Sequence, residues 1–154
     1  MSEQDLKFMQ IALDEAKAGM AEGGIPIGAC LVIDGEVRGR GHNMRVQKNS
    51  PTLHGEMSAM EDAGRLKASE YARATMYTTL SPCVMCTGTM LLYGIPRVVL
   101  AENENFMGAE ELMKTFPEKP VEVVNLDLPE AKKMMADWIA ANPKIWNEDI
   151  GVEN

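Results

Sequence analysis

Two short motifs carry side chains suited to binding a metal ion. The string HGE at positions 54–56 supplies an imidazole and a carboxylate, and the string PCVMC at 82–86 supplies two thiols. Zinc binds nitrogen and sulfur ligands tetrahedrally, and a catalytic zinc site uses three protein ligands and leaves the fourth position to water. The motifs therefore predict one Zn2+ ion per chain, bound by His54, Cys83 and Cys86.

Glu56 is the predicted proton carrier of this site. Zinc lowers the pKa of a bound water from about 15.7 towards roughly 7, so the metal would provide a nucleophile at neutral pH. Glu56 follows His54 by two positions, and their side chains converge only if the chain is irregular at the first turn of a helix. The carboxylate can then move a proton first to a ring nitrogen and next to a departing amine. This predicts general acid/base catalysis by Glu56.

The helices that must position these motifs are predicted to begin at the motifs themselves. Residues 42–53 lack a clear hydrophobic period and indicate a loop, which a helix over 54–66 follows. Ser81 and Pro82 are typical of an N-cap and a first helical position, and they predict a helix over 83–93. Cys83 and Cys86 would then project from one face of that helix, near its positive end.

The remaining pattern alternates strands with helices. An apolar stripe at helical spacing between residues 6 and 20 predicts an opening helix, and Asp34-Gly35 predicts a hairpin turn. This order favours an α/β fold, a three-layer α/β/α sandwich with a mixed five-stranded sheet whose first pair is antiparallel. The strands are predicted at 27–33, 37–41, 75–79, 98–101 and 121–124, and further helices at 109–114 and 129–141, with one more turn after 143.

Composition limits the class of protein. The chain has 154 residues, of which 45% are hydrophobic and 25% charged, as is typical of one globular domain. Residues 1–22 do not resemble a signal peptide, and no run of 18 apolar residues predicts a membrane span. The three cysteines do not suggest a disulfide framework. A single cytoplasmic domain over 1–154, without a membrane partner, is the expectation.

The H-x-E and P-C-x-x-C patterns resemble the signature of the zinc-dependent nucleobase deaminases of the cytidine deaminase-like superfamily. Within it, the chain is most similar to the small cytosine deaminases of fungi. The resemblance implies zinc-dependent hydrolytic deamination of free cytosine to uracil and ammonia, as in pyrimidine salvage, by a homodimer. The similar stretches are GRGHNMR at 39–45, HGEMSAMEDAGRL at 54–66, YTTLSPCVMCTG at 77–88, LLYGIPRVV at 91–99 and WNEDIG at 146–151.

The same resemblance implies the contacts of the substrate. The rings of Phe106 and Trp146 would sandwich a flat pyrimidine. Asn43 would read the ring carbonyl side, and Asp149 would accept a hydrogen bond from the exocyclic amine. Residues 143–154 would form a C-terminal lid over the pocket. Backbone groups of Gly55 and Ser81 would complete the recognition of the edge of the base.

Alternative functions remain open at this stage. Another small base, such as isocytosine or guanine, requires only a change in pocket polarity. A tRNA adenosine deaminase shares the PCVMC string, but a net charge of −8 disfavours a nucleic-acid partner. The basic residues between Arg38 and Lys48 are interpreted as a solvated loop. A structural zinc-binding module would need a fourth ligand, for which Cys30 and His42 are the remaining candidates.

Overall fold

The structure, a computed structural model, describes residues 2–153. Five strands form the sheet: β1 Gly28–Ile33, β2 Glu36–His42, β3 Ala74–Thr78, β4 Arg97–Leu100 and β5 Glu122–Asn125. The helices among the described residues are α1 Glu3–Ala21, α2 Arg45–Lys48, α3 Gly55–Ala63, α4 Ala68–Tyr71, α5 Val84–Tyr93, α6 Glu110–Lys114, α7 Pro129–Ala141 and α8 Pro143–Asp149. None of these helices combines the length and the apolar character that a membrane span requires.

The sheet is mixed, as predicted. Its strand order is β2-β1-β3-β4-β5. Strand β1 pairs antiparallel with both β2 and β3. Strands β3, β4 and β5 run parallel to one another, with α5 and α6 in the intervening connections. Parallel neighbours need such crossovers, because a tight turn can join only antiparallel strands.

Helices cover both faces of the sheet and complete the predicted three layers. All six residues of β1 are buried, and alternate side chains point to opposite faces. Leu31 packs in one cluster with Ala59 of α3 and Met90 of α5. On the other face, Cys30 packs in a cluster with residues of α1 and α7 that includes Leu13 and Ala131. The hydrophobic clusters thus bury β1 between the two helical layers.

Several local predictions were wrong. Cys83, rather than Ser81, is the N-cap residue of α5, and Pro82 precedes the helix. The helix predicted over 54–66 ends at Ala63, and the four-residue helices α2 and α4 were missed because they are too short to show a period. The tail after 142 forms the seven-residue helix α8, which is longer than the single turn expected.

Asp5 fixes α1 to the sheet. Its carboxylate accepts two hydrogen bonds of 2.8 Å from the Arg97 guanidinium and one of 2.7 Å from the Tyr77 hydroxyl. The hydrogen bonds from Arg97 make the largest contribution, and together with that from Tyr77 they outweigh the effect of burial and lower the pKa of Asp5 to about 2. Because the pKa is depressed in the folded state, the stabilisation is present above the ordinary carboxyl pKa and is lost as the pH falls towards 2.

We therefore expect Asp5→Asn to lower the free energy of unfolding at pH 7 by about 2 kcal/mol, the scale of hydrogen bonds to a charged group. The difference from the wild type should shrink as the pH falls from about 4 to about 2, as urea unfolding would measure. Asp34→Asn, which breaks the exposed ion pair with Arg73, is the matched control and should have little effect. A loss of unfolding free energy in Asp5→Asn that is as large at about pH 2 as at pH 7 would contradict the role assigned to the Asp5 carboxylate.

Candidate active site

The predicted site residues meet at one edge of the sheet, where β3 and β4 end and β1 begins. Backbone hydrogen bonds join this edge: Thr79 N donates to the Gly28 oxygen and Ser81 N to the Glu102 oxygen. The loop after β3 leads to Cys83, and the loop after β4 carries Phe106. Open α/β sheets place ligands at the carboxyl ends of parallel strands, as here.

Helix α3 brings His54 to this edge because α3 lies directly on β2. A Cβ atom on Gly39 would collide with the Ala59 carbonyl oxygen of α3, and one on Gly41 would lie 2.7 Å from the Ser58 Cβ atom. Two glycines on one face of β2 thus allow a helix–strand contact that no larger residue permits. The close packing of α3 on β2 places the N-cap residue of α3, His54, beside the loop that follows β3.

The geometry of the three predicted ligands fits zinc. The ligand atoms of His54, Cys83 and Cys86 all lie within 4.8 Å of one another. The His54 Nδ1 and Cys83 Sγ atoms are 3.5 Å apart, close to the separation of roughly 3.6 Å that tetrahedral zinc imposes on a nitrogen and a sulfur ligand. His54 and Cys83 are each the N-cap residue of a helix, and Cys86 lies in the first turn of α5.

The two remaining candidates for a fourth ligand are engaged elsewhere. Both nitrogens of His42 contact carboxylates, Glu15 at 2.9 Å and Glu22 at 2.8 Å. Cys30 is fully buried in β1, and its thiol donates to the Phe8 carbonyl oxygen. With histidine and cysteine accounted for, the donor set is the three-ligand kind that leaves one coordination position to water.

The pKa values of the two thiols are shifted in opposite directions. The hydrogen bond from Cys86, together with His54, lowers the pKa of Cys83 to about 4 despite its burial. That same bond to Cys83 and its complete burial raise the pKa of Cys86 well above the ordinary thiol value. Because zinc binds thiolates, binding of the metal would displace the proton of Cys86.

Asp149 lies beside the His54 ring on the side away from the thiols. Its Oδ1 atom is 3.2 Å from His54 Nε2 without an aligned hydrogen bond, while Nδ1 faces Cys83. A proton on Nε2, on the side of the carboxylate, would leave Nδ1 as the ligand atom, as outer carboxylates do for many metal-binding histidines. Burial lowers the pKa of His54, but the nearby Asp149 carboxylate and Cys83 sulfur outweigh it and raise the pKa to about 10.

Glu56 lies where the sequence predicted, in the first turn of α3, and its side chain is buried. His54 has an extended backbone, with φ −66° and ψ 168°, so the chain enters the helix irregularly between the two residues, as their convergence requires. Burial raises the pKa of Glu56 to about 7. A carboxyl group near neutrality both accepts and donates a proton at low cost.

Two of the three zinc ligands, His54 and Cys83, line a small pocket. The space between its lining residues, open solvent at the mouth included, is about 330 Å3, near the lower limit of small-molecule pockets. Seven of the predicted site residues line it, and three apolar side chains that the sequence analysis missed complete it. The lining residues are Ile27, His54, Glu56, Leu80, Ser81, Cys83, Phe106, Trp146, Asp149 and Ile150.

The two aromatic rings do not form the predicted sandwich. The centroids of Phe106 and Trp146 are 6.1 Å apart, and their planes are at 89° to one another. Two perpendicular rings cannot both face one flat base, so one ring can stack on the base while the other presents an edge. The difference arises because Trp146 packs against the apolar cluster that includes Trp138 and Ile25, which sets its plane.

Asn43, Gly55 and Ser81 are close to the pocket but differ in how they reach it. Asn43 is fully buried behind Asp149, and its Nδ2 atom is 3.5 Å from the Asp149 Oδ2 atom. Gly55 packs against Ile27, whose carbonyl oxygen would lie 3.1 Å from a Cβ atom at position 55. The Ser81 hydroxyl donates to Glu110 at 2.6 Å and accepts from Gly108 N at 2.9 Å. Its side chain is therefore occupied by the protein.

Two buried carboxylates that the sequence analysis missed shape the loop of Phe106. Glu102 accepts hydrogen bonds from the backbone of Glu104 and from the backbone and side chain of Asn105. Glu110 accepts from Ser81 and joins the other end of the loop to the segment before Cys83. No spacing rule reveals these residues, although the acid-rich string AENENF at 101–106 is an unusual continuation of a buried strand.

Comparison with known sequences matches this region to one family. The family described as the cytidine and deoxycytidylate deaminase zinc-binding region matches residues 2–102. A cytosine deaminase of Candida albicans is 55% identical over 152 residues, which cover 98% of this chain and 99% of that protein. A tRNA-specific adenosine deaminase of Streptococcus pyogenes is 39% identical over 119 residues, which cover 76% of this chain and 75% of that protein.

Solved structures share the fold. One from a study of A-to-I editing by tRNA:A34 deaminases superposes with a TM-score of 0.67 at 30% identity and covers 78% of this chain and 97% of its own. A guanine deaminase of Nitrosomonas europaea superposes with a TM-score of 0.74 at 20% identity and covers 90% of this chain and 85% of its own. The comparisons confirm both the resemblance and the fold class that the sequence predicted.

The ligand set predicts how single substitutions change zinc binding. We expect His54→Ala and Cys86→Ala to weaken zinc binding by more than the roughly 10–100-fold that loss of an outer hydrogen bond costs. The zinc content, measured by elemental mass spectrometry, should fall in these variants, and the thermal midpoint of unfolding should fall with it. Cys30→Ala is the matched control, because that thiol lies in the core, and it should retain one zinc per chain. Full zinc occupancy in His54→Ala would contradict the assignment.

Proposed function

The chain belongs to the cytidine and deoxycytidylate deaminase zinc-binding family, and we propose that it hydrolyses free cytosine to uracil and ammonia. The observation that carries the proposal is the small pocket beside the zinc ligands with a buried carboxylate in its wall. The side chain of Asp149 is 3% exposed, and its Oδ1 atom accepts no aligned hydrogen bond from residues 2–153. Similarity to the Candida enzyme over nearly the whole of both chains supports the same substrate.

The chemistry of this wall suits the amino edge of cytosine. The exocyclic amine of cytosine is a donor, and a carboxylate is an acceptor only, so Asp149 favours an amine over a carbonyl at that position. Asn43, behind Asp149, is proposed to hold the carboxylate and to face the ring carbonyl side. The Phe106 or Trp146 ring provides the stacking surface. Backbone groups at Gly55 and Ser81 are proposed to complete the hydrogen bonds of the base.

Proton transfer in this proposal is the task of Glu56. Zinc held by His54, Cys83 and Cys86 would supply Lewis-acid activation of water at neutral pH. The Glu56 carboxylate would take a proton from the attacking water and donate it to ring atom N3, and it would then pass the second proton to the exocyclic amine. A C4–O bond forms, the C4–N bond breaks, and ammonia leaves. Burial of Glu56 keeps these protons from exchanging with bulk water.

A polyanionic substrate fits the surface less well than a free base does. In the stretch between Arg38 and Lys48, three guanidinium groups are already paired within the chain. Arg38 contacts Glu70 at 2.9 Å, Arg40 contacts Glu15 at 2.7 Å, and Arg45 donates to the Glu148 carbonyl oxygen. Phosphate groups would have to compete with these internal acceptors and with the net negative charge of the chain. This favours a small base over an RNA loop.

Residues 143–154 are proposed to act as the lid of the pocket, within the single domain over 1–154. The described part of this segment contributes Trp146, Asp149 and Ile150 to the pocket wall. A second, open cavity adjoins the pocket and shares Phe106, Asp149 and Ile150 with it. His54 and Cys83 also line both cavities, so the segment lies at the passage between the open cavity and the pocket, where its movement would control the entry of base and the release of product.

We also propose a homodimer in the cytoplasm that serves pyrimidine salvage. Apolar side chains remain exposed on α5, with Leu92 76% and Tyr93 45% exposed, and they adjoin an open groove between α3 and α5. A second copy of the chain would cover them. The free thiols suit a reducing compartment. A monomer in sedimentation velocity, or a secreted protein in cell fractionation, would contradict these proposals.

The substrate proposal predicts the order of activity in a panel of amines. Ammonia release by the zinc-loaded chain should be fastest with cytosine, compared with isocytosine, guanine, adenine, cytidine and a tRNA anticodon stem-loop. We expect cytosine to exceed cytidine in kcat/KM by at least roughly 100-fold, because a ribose must displace the lid. Preference for another base would keep the zinc chemistry and refute the assignment of the pocket.

A further inference from the structure

Arg45 joins helix α2 to the end of helix α8. Its Nη2 atom donates a 3.0 Å hydrogen bond to the Glu148 carbonyl oxygen, and its Nη1 atom lies 3.8 Å from the Asp149 Oδ1 atom. The Arg45 side chain is 21% exposed, so water screens these contacts less than those of an exposed ion pair. One guanidinium therefore contacts both the last turn of α8 and the carboxylate proposed to bind the base.

The backbone of Arg45 is itself fixed. Asn43 Oδ1 accepts a 2.9 Å hydrogen bond from Arg45 N, and the Arg45 carbonyl accepts bonds from the backbone of Asn49 and Ser50. Asn43 is in turn fully buried and tied to Ile27 through its backbone nitrogen. Arg45 is thus anchored to the edge of the sheet on one side and holds α8 on the other.

The position of α8 needs such an anchor. The helix has seven residues, and isolated helices of this length are unstable in water. Its middle is held by Trp146, which is buried in the apolar cluster with Trp138 and Met135, and Ile145 and Ile150 pack against the same cluster. Its last carbonyl groups accept backbone hydrogen bonds from the residues that follow, such as the 3.2 Å bond from Gly151 N to the Glu148 oxygen, and a cation at this negative end of the helix adds to them. Arg45 provides that cation at Glu148.

We propose that Arg45 is a positioning residue that holds α8 closed over the pocket and keeps the Asp149 carboxylate in place. The closure does not depend on substrate, whereas its effect on turnover rests on the proposed deamination. In this role Arg45 sets the fraction of molecules whose lid is shut, and the apparent affinity for the base scales with that fraction.

The chain offers a matched control. Arg73 also contacts a carboxylate, at Asp34, and donates to a backbone carbonyl, at Ser69. Its side chain is 49% exposed, and neither partner belongs to the pocket. Arg45→Met and Arg73→Met therefore remove the same kinds of contact from two different places. Arg45→Lys keeps the charge but offers a single donor group, so it should fall between the wild type and Arg45→Met.

Hydrogen exchange tests the closure directly and requires no substrate. In zinc-loaded protein, Arg45→Met should speed exchange in the segment 143–153 by about tenfold, the factor that corresponds to about 1.4 kcal/mol. The neighbouring segment 129–141 should exchange as in the wild type. Arg73→Met should leave both segments unchanged. Unchanged exchange of 143–153 in Arg45→Met, or equal acceleration of both segments, would overturn the proposal.

Steady-state kinetics then tests the consequence for the reaction. Arg45→Met should raise KM for cytosine by up to roughly tenfold and change kcat by less than about threefold, because the closed fraction falls while Glu56, His54, Cys83 and Cys86 are all retained. Arg73→Met should match the wild type. A fall in kcat with unchanged KM would overturn the positioning role. If the wild type deaminates no base, the deaminase proposal fails, and the exchange result still decides the closure.

Discussion

The contact between α3 and β2 is the constraint on which the site depends. Because Gly39 and Gly41 lack side chains, α3 lies against the strand itself, and this contact fixes the position of its first residues. His54 ends the preceding loop at that point and faces Cys83 across the edge of the sheet. Zinc tolerates little deviation in the separation of its ligands, so a shift of α3 would separate the imidazole from the thiols. Glu56, in the first turn of the same helix, would move with it. A strand and a helix that approach this closely therefore determine both the metal site and the position of its proton carrier.

Buried carboxylates form the second layer of the site, and local donors neutralise or bind each of them. Glu102 and Glu110 accept hydrogen bonds that shape the loop of Phe106, whereas Asp149 faces His54 and Arg45. Such groups are costly to bury without partners, so each one limits the conformations of the segment around it. In this arrangement the buried carboxylates of an acidic protein fix the loop of Phe106 beside the pocket. The basic groups near the site serve internal acceptors, which leaves the pocket to a small neutral ligand rather than a phosphate chain.

The zinc ligands were predictable because the metal demands particular side chains, and their spacing survives in the sequence. The sheet and the long helices were predictable for a similar reason, since burial makes β1 a continuous apolar run and imposes a helical period on α1. Contacts between distant segments left no such trace. Ser81 resembles an N-cap residue, yet its hydroxyl bonds Glu110 and Gly108, and Cys83 takes the cap position instead. The perpendicular rings of Phe106 and Trp146 and the bond from Arg45 to α8 likewise depend on how α8 folds back, which no local pattern records.

The central claim is that Glu56 moves protons in a reaction that the zinc site supports, and a single substitution separates the two roles. Glu56→Gln keeps the size and shape of the side chain but cannot take up a proton. Zinc content and ammonia release from cytosine should be measured on the same preparation, beside the wild type. We predict one zinc per chain in both proteins and a fall in kcat of at least about 100-fold in Glu56→Gln, the lower range for general acid/base catalysis. A zinc-loaded Glu56→Gln protein that deaminates cytosine at the wild-type rate would contradict the mechanism.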